Sequence, residues 1–359
     1  AQETSLATHY EERLQRDLDW IGTMVEEVGT DLITIIDNAC KSVLNIDRHL
    51  SAETVIGDFV INRKTREIDR LCHAFVARHL PSAGHLRYVS SVMRLNIALE
   101  RIGDYAATIS RTAAQISEAP PKAVARDIET MSEQARSILS DALHSYYKRD
   151  VQQAKSILKA ARNFAPYFDR VFDDLAKEGD KNSRPMKDLF SLLATLNRLE
   201  RVIHQGKNVC EETLFVVTGE SKGEKKFRIL FLDEGNDGAS QLAEQFTTKA
   251  FPQSGTFESA GWAPSEQIAP AFTRFAETVG LDLSKAWPTD LKTRVEQFDD
   301  FDLVVCLTKQ TFEHLPRLPF HTTALCWDVD TSNSPELVYR EITPRIRELM
   351  DRLRGEQAD

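Results

Sequence analysis

The chain has few cysteines, and their spacing is irregular. Its five cysteines, Cys40, Cys72, Cys210, Cys306 and Cys326, are scattered over 359 residues, and no two of them form a C-x-x-C pair. An odd number without a recurring spacing suggests neither a disulfide framework nor a zinc site. We therefore expect reduced thiols that are mostly buried.

Positive charge and long apolar runs are also scarce. The formal net charge is −10 and the isoelectric point is about 5.5, which argues against a broad surface for nucleic acid or an anionic membrane. No uninterrupted apolar run approaches the roughly 18 residues that a transmembrane helix needs, and no secretory leader is recognisable. We predict a cytoplasmic protein with no nucleic-acid partner, which meets a membrane only through its partners.

What the sequence does contain is an internal repeat. The segment Leu99-Glu100-Arg101-Ile102 recurs as Leu199-Glu200-Arg201-Val202, each copy closing a long amphipathic stretch. The apolar spacing around both copies is that of a helix in a bundle. The seam positions are Val92, Leu95, Leu99, Ile102, Ala106 and Ile109 in the first copy and Leu192, Thr195, Leu199, Val202, Gly206 and Val209 in the second. Each unit has about a hundred residues, enough for three long antiparallel helices.

The pattern changes after residue 219. Short apolar runs of buried-strand type, such as Ile229 to Leu232 and Leu303 to Leu307, there alternate with helical stretches, which indicates a parallel sheet covered by helices. We predict a multidomain protein with two all-α three-helix bundles in tandem, followed by a small α/β domain with a four-stranded parallel sheet. The predicted domains are 1–118, 119–219 and 227–359, with a linker at 220–226.

The helical part resembles the PhoU family of regulators of bacterial phosphate uptake and signalling. The resemblance covers about residues 8–219 and includes Leu99 to Ala106, Glu67 to Leu71 and Leu214 to Glu220. It implies two three-helix bundles that act by protein–protein interaction. The implied partners are the ATPase of the phosphate transporter and a phosphate-sensing histidine kinase, and a homo-oligomer is compatible with it.

The same resemblance implies metal ions on one face of each bundle. Carboxylates four residues apart share a helix face and form an oxygen site. Asp69, Glu100 and Asp104 match the family's acids in the first unit and would hold divalent or iron-type ions, whereas the second unit offers only Glu200 and His204. The alternative is that these side chains form a solvated acidic face.

The segment from Ile229 to Glu244 resembles the opening of low-molecular-weight protein tyrosine phosphatases and arsenate reductases. Those enzymes carry a C-x5-R phosphate loop between the first strand and a helix, followed by S-Q-x-A-E. Here Asp233 stands at the position of the nucleophilic cysteine and Ala239 at that of the arginine. The resemblance therefore implies a degenerate phosphate loop made of Asp233, Glu234, Gly235, Asn236, Asp237, Gly238, Ala239 and Ser240.

These patterns together predict a phosphate-signalling regulator with a catalytically dead phosphatase-like module. Two alternatives stay open at this point. One is a phosphatase or arsenate reductase that uses an unconventional loop, with Asp233 as the replacement nucleophile. The other is a sensor whose C-terminal domain binds a metal ion or a small molecule.

Overall fold

The computed structural model describes residues 2–162, 164–181, 184–219, 225–295, 297–319 and 321–355. The chain forms two compact units, Ala1–Lys222 and Gly223–Asp359. Of the predicted linker 220–226, only residues 225 and 226 are among those described.

The described part of the first unit consists of helices and the short segments that connect them. Its described part contains the helices α1 Gln2–Asn45, α2 Arg48–His79, α3 Ala83–Ala113, α4 Lys122–Lys148, α5 Val151–Arg162, α6 Ala165–Asp180 and α7 Met186–Thr218. No helix in the described part of the chain has both the length and the apolar character needed to cross a bilayer.

The first copy of the repeat has the three predicted long helices, whereas the middle helix of the second copy is interrupted. There α5 ends at Arg162, and α6 begins at Ala165 with Pro166 in its first turn. Proline has no backbone N–H and disfavours helical backbone in the residue before it, so it belongs at a helix start. The second copy is therefore built as α4, the pair α5 and α6, and α7.

The repeated tetrapeptide lies in the middle of α3 and α7, and the expectation that it closes the helix is wrong. The seam continues beyond it on both sides, through Ile109 in α3 and Val209 in α7. All twelve predicted seam positions are buried. The apolar spacing thus locates the buried face of each helix correctly.

The two copies share one apolar core. Helix α3 packs against α7, and α1 packs against α4, so buried side chains of both halves form a single cluster. The predicted boundary at 118/119 falls in the segment between α3 and α4, and the core continues across it.

The second unit is an α/β domain with a four-stranded, entirely parallel sheet. The strands are β1 Phe227–Asp233, β2 Gly255–Gly261, β3 Leu303–Cys306 and β4 Thr323–Cys326, in the order β2-β1-β3-β4. The helices are α8 Ala239–Ala250, α9 Pro270–Thr278, α10 Lys292–Val295, α11 Lys309–Glu313 and α12 Pro335–Arg354.

Alternate side chains of β1 enter two different cores, because successive residues of a strand point to opposite faces. Ile229 and Phe231 pack with the core that includes α8 and α12, whereas Leu230 and Leu232 pack in the second core. Asp233 then ends the strand, and the loop from Glu234 to Gly238 connects it directly to α8. The geometry of the sheet thus places Asp233 at the start of a helix.

Candidate functional site

Residues 233–240, which comprise the end of β1, the loop and the start of α8, have the position of a phosphate-binding loop. Parallel sheets bind ligands beyond the carboxyl ends of their strands, and free N–H groups at a helix start attract anions. The neighbouring strand β2 passes very close to this loop, since a Cβ on Gly261 would lie 2.5 Å from the carbonyl oxygen of Glu234. Only a glycine allows that approach.

The Asp233 carboxylate occupies the N–H groups of its own loop. Its Oδ1 accepts a hydrogen bond of 2.6 Å from the backbone N–H of Asn236, and its Oδ2 accepts one of 2.8 Å from the N–H of Ser240. The residue is 4% exposed. An anion attached to the protein therefore takes two of the donors that a bound oxyanion would use.

Asn236 fixes the shape of this loop. Its φ of 50° is in the left-handed region, which asparagine tolerates better than most residues. Its side-chain amide donates to Ser240 Oγ, and its Oδ1 accepts from Gln241 Nε2 and from the N–H of Thr289. All three distances lie between 2.7 and 2.9 Å. Asn236 thus binds the loop both to the start of α8 and to the segment at Thr289.

Burial controls the protonation of Asp233. Removal from water raises the pKa of this carboxyl to about 6, and the hydrogen bonds from Ser240 and Asn236 oppose part of that rise. The nearby carboxylate of Asp237 raises the pKa further. Near neutral pH the group is therefore largely ionised, at a cost to the folded state.

The loop carries negative charge and no cation of its own. Glu234 and Asp237 add to the charge of Asp233, and Asp237 Oδ2 accepts a hydrogen bond from Ser265 Oγ at 2.8 Å. The position before Ser240 is Ala239, which is buried. The arrangement as described holds its own carboxylate rather than a free anion.

The acids predicted in the first half of the helical unit are spread over two helices. Asp69 on α2 accepts a 3.0 Å hydrogen bond from Asn96 Nδ2 on α3, while Glu100 and Asp104 are exposed on α3. Among the described residues, no group of three or more His, Cys, Asp or Glu side chains is placed to hold a metal ion. The three predicted ligands therefore do not form such a group here.

Sequence reasoning missed Asp58, a carboxylate buried between α2 and α3. It is 3% exposed, and its Oδ1 has no hydrogen-bond partner within the described part of the chain. Burial together with Asp104 and Glu100 raises its pKa. A Cβ on Gly103 of α3 would lie 2.7 Å from that Oδ1. The available signal was the placement of Asp58 and Asn62 four residues apart on a face that is otherwise buried.

Buried amide oxygens accompany this carboxylate. Asn62 Nδ2 donates to Asp58 Oδ2 at 3.2 Å, but the Oδ1 atoms of Asn62 and Asn96 are buried without a partner among the described residues. The interface between α2 and α3 therefore contains buried hydrogen-bond acceptors without donors among the described residues.

The second half of the helical unit gives a different picture. Burial raises the pKa of Glu200, and burial together with Lys207 and Arg201 lowers that of His204. These shifts favour neutral side chains. No ion pair joins Glu200 to His204 in the described structure.

Comparisons with known proteins divide the chain at the same place. The family model for the PhoU domain matches residues 25–113 and 128–213. A phosphate-specific transport system accessory protein PhoU from Edwardsiella tarda is 24% identical over 216 residues, which are 60% of this chain and 89% of that protein. A homologue from Pseudomonas putida is 25% identical over 217 residues, 60% of this chain and 84% of that protein.

The fold and the C-terminal domain have counterparts as well. The crystal structure of PhoU from Pseudomonas aeruginosa superposes with a TM-score of 0.55 at 23% identity and covers 57% of this chain and 99% of its own. This likeness concerns the fold. The family model for low molecular weight phosphotyrosine protein phosphatase matches residues 228–327.

Proposed function

Since the chain consists of two PhoU domains followed by a domain of the low molecular weight phosphatase family, we propose that it regulates phosphate uptake through protein–protein contacts and that its third domain is not an enzyme. The observation that carries the second part is the Asp233 carboxylate bound by the N–H groups of its own loop.

The regulatory part is supported by the relatives of the helical unit. Those proteins are described as accessory to a phosphate-specific transport system, and the matched segments span most of their length. We infer that this chain contacts the transporter ATPase and a phosphate-sensing histidine kinase, and that it does so in the cytoplasm. The division of the helical unit into binding modules at 118/119 belongs to the same proposal.

The chemistry of the loop supports the loss of catalysis. Attack on phosphorus in this family requires a thiolate, and a guanidinium is needed to bind the oxyanion. At these positions the chain has Asp233 and Ala239. A carboxylate can act as a nucleophile only where a cation screens the incoming phosphate, and the loop supplies none.

Electrostatics adds a barrier to phosphate entry. One carboxylate about 4 Å from a phosphate charge costs roughly 4 kcal/mol at an effective dielectric constant near 20. Asp233 also holds two N–H groups that would otherwise favour the anion. The loop thus both repels phosphate and withholds donors from it.

A phosphatase assay on the full chain tests the enzymatic alternative. We expect hydrolysis of an aryl phosphate at the rate of the buffer blank for the wild type and for Asp233→Asn alike. Turnover in the wild type that Asp233→Asn abolishes would contradict the proposal and establish an aspartyl nucleophile. Asp237→Asn, in the same loop, is the matched control.

Co-purification tests the regulatory part. Tagged full-length chain is incubated with the purified transporter ATPase and, separately, with the sensor kinase domain, and binding is measured by size-exclusion chromatography. We expect a complex with at least one of them that persists in Asp233→Asn. Absence of a complex with either protein would remove the support for these partners.

The divalent or iron-type ion expected on Asp69, Glu100 and Asp104 is a separate proposal, and the co-purification does not depend on it.

A further inference from the structure

A polar cavity of about 660 Å³ lies within the helical unit, and Asp58 is not part of its lining. We call it the interhelix cavity. Four helices supply its lining: α1, the first turns of α3, the last turn of α4 and the end of α7. Its charged and polar lining includes Asp19, Glu26, His85, Arg87, Tyr88 and Arg149.

Two guanidinium groups line this cavity without a carboxylate partner. Arg87 and Arg149 make no ion pair in the described part of the chain. Arg149 lies 5.6 Å from the ring centre of Tyr88, and the Arg87 guanidinium lies against Gly219 at the end of α7. Arginines are the side chains best suited to bind a phosphoryl group, because their planar fork matches its oxygens. Unpaired guanidiniums facing one cavity are therefore available to an anion.

The start of α3 adds to the positive potential. Helix α3 is 31 residues long, and its N-cap residue Ser82 makes no side-chain capping bond. Gly84 and His85, in its first turn, both line the cavity. The free N–H groups and positive dipole end of a long helix favour a bound anion.

Carboxylates from α1 line the same cavity. Among the described residues, Asp19 and Glu26 form no ion pair with Arg87 or Arg149, and Asp19 accepts a hydrogen bond from Gln15. A cavity with both cations and carboxylates in its lining suits a ligand with an anionic group and hydroxyl or amino donors. Carboxylates are the usual acceptors for the hydroxyl groups of a sugar.

The volume fits a small organic molecule. Ligand cavities typically enclose about 300–1,000 Å³, which is larger than a single inorganic phosphate needs. Gly22 leaves room for the Tyr88 hydroxyl, since a Cβ at residue 22 would lie 3.3 Å from it. Tyr88 thus provides a further polar atom beside the arginines.

We propose that the interhelix cavity binds a small phosphate monoester with hydroxyl donors, its phosphoryl group on Arg87 and Arg149 and its hydroxyl groups on Asp19 and Glu26. Two sources share this chemistry, a nucleotide and a sugar phosphate. The proposal is independent of the regulatory function and of the loop at Asp233.

Isothermal titration of the full chain tests the proposal. The probes are adenosine 5′-monophosphate, glucose 6-phosphate, inorganic phosphate, adenosine and glucose. We expect saturable binding of at least one phosphate monoester, weaker binding of inorganic phosphate, and no heat with adenosine or glucose. Whichever monoester binds identifies the source.

Two variants assign the binding to this cavity. Arg87→Gln and Arg149→Gln should each weaken the monoester about tenfold to a hundredfold, the usual worth of a charge-assisted hydrogen bond. The matched control is Arg126→Gln, an exposed arginine on α4 that does not line the cavity. It should leave the affinity unchanged.

Three results would overturn the assignment. They are no binding of either monoester, equal affinity for inorganic phosphate, and an affinity that neither Arg87→Gln nor Arg149→Gln changes. The circular dichroism of each variant is recorded first, so that only folded proteins are compared.

Discussion

Two buried carboxylates, one in each unit, have opposite surroundings. Asp233 ends a strand just before a helix and accepts hydrogen bonds from two backbone N–H groups. Asp58 lies inside α2, where the backbone N–H groups are already used by the helix. Its Oδ2 accepts a hydrogen bond from Asn62, and its Oδ1 has no partner among the described residues. The comparison shows that the position of an acid within secondary structure decides which donors its carboxylate meets, although burial raises the pKa of both groups.

The largest expected effect follows from removing the Asp233 carboxylate. Asp233→Ala leaves the N–H groups of Asn236 and Ser240 buried without an acceptor, so we expect a loss of about 2–5 kcal/mol in the free energy of unfolding of the α/β unit. Urea unfolding followed by tryptophan fluorescence measures it, because three of the four tryptophans lie in this unit. The control Asp237→Ala, which loses the hydrogen bond from Ser265 and the repulsion between Asp237 and Asp233, should cost about 1 kcal/mol. Equal losses in the two variants would contradict the role assigned to Asp233.

The pH dependence of Asp233 should be somewhat smaller. Its pKa of about 6 in the folded state lies above the ordinary value of 3.8, so the folded state binds the proton more tightly than the unfolded state. The free energy of unfolding therefore falls as the pH rises from about 4 to about 6, and we expect a total of about 3 kcal/mol.

Asp233→Asn cannot titrate and provides the reference for this measurement. Unfolding in urea is followed from pH 3.5 to 7.5 in both proteins, and the difference between them isolates the contribution of residue 233. We expect the free energy of unfolding of the wild type, minus that of Asp233→Asn, to fall as the pH rises. A value that rises with pH, or does not change, would show that the carboxyl is not held as the structure has it.

Substitution of Asp58 should change the stability in the opposite direction. Burial and the repulsion of Asp104 outweigh the attraction of Arg111 and the hydrogen bond from Asn62, so the pKa of Asp58 is raised. Asp58→Asn removes this charge, and we expect the helical unit to gain about 1 kcal/mol at neutral pH in metal-free buffer. Thermal unfolding followed by circular dichroism at 222 nm measures it, since the helical unit supplies most of the helix. Asp104→Asn, at an exposed position, should change the stability by less than about 0.5 kcal/mol. Destabilisation by Asp58→Asn would remove the contrast between the two acids.

The sequence was sufficient for features that depend on periodicity. Apolar spacing predicts the seams of α3 and α7 and the alternation of strands and helices in the second unit, because burial acts on every turn or every second residue. It also predicts that the loop at Asp233 is acidic and lacks an arginine. Local chemistry at Pro166 explains the interruption between α5 and α6, although the repeat pattern alone predicts one continuous helix there.

Other features depend on contacts between distant residues and escape such patterns. The hydrogen bond from the Thr289 N–H to Asn236 Oδ1 joins residues 53 positions apart. The environment of Asp58 includes Gly103 and Asp104 on another helix. An acid within a helix looks the same in sequence whether it faces solvent or a neighbouring helix. Side-chain partners of this kind become visible only when the fold is known.

The shared core of the two repeats has an evolutionary consequence. After duplication, each copy could lose features that the other supplied, since α3 packs on α7 and α1 on α4. A substitution in the core of one copy is therefore expected to change the stability of the other copy as well. Neither half, expressed alone, should be expected to fold.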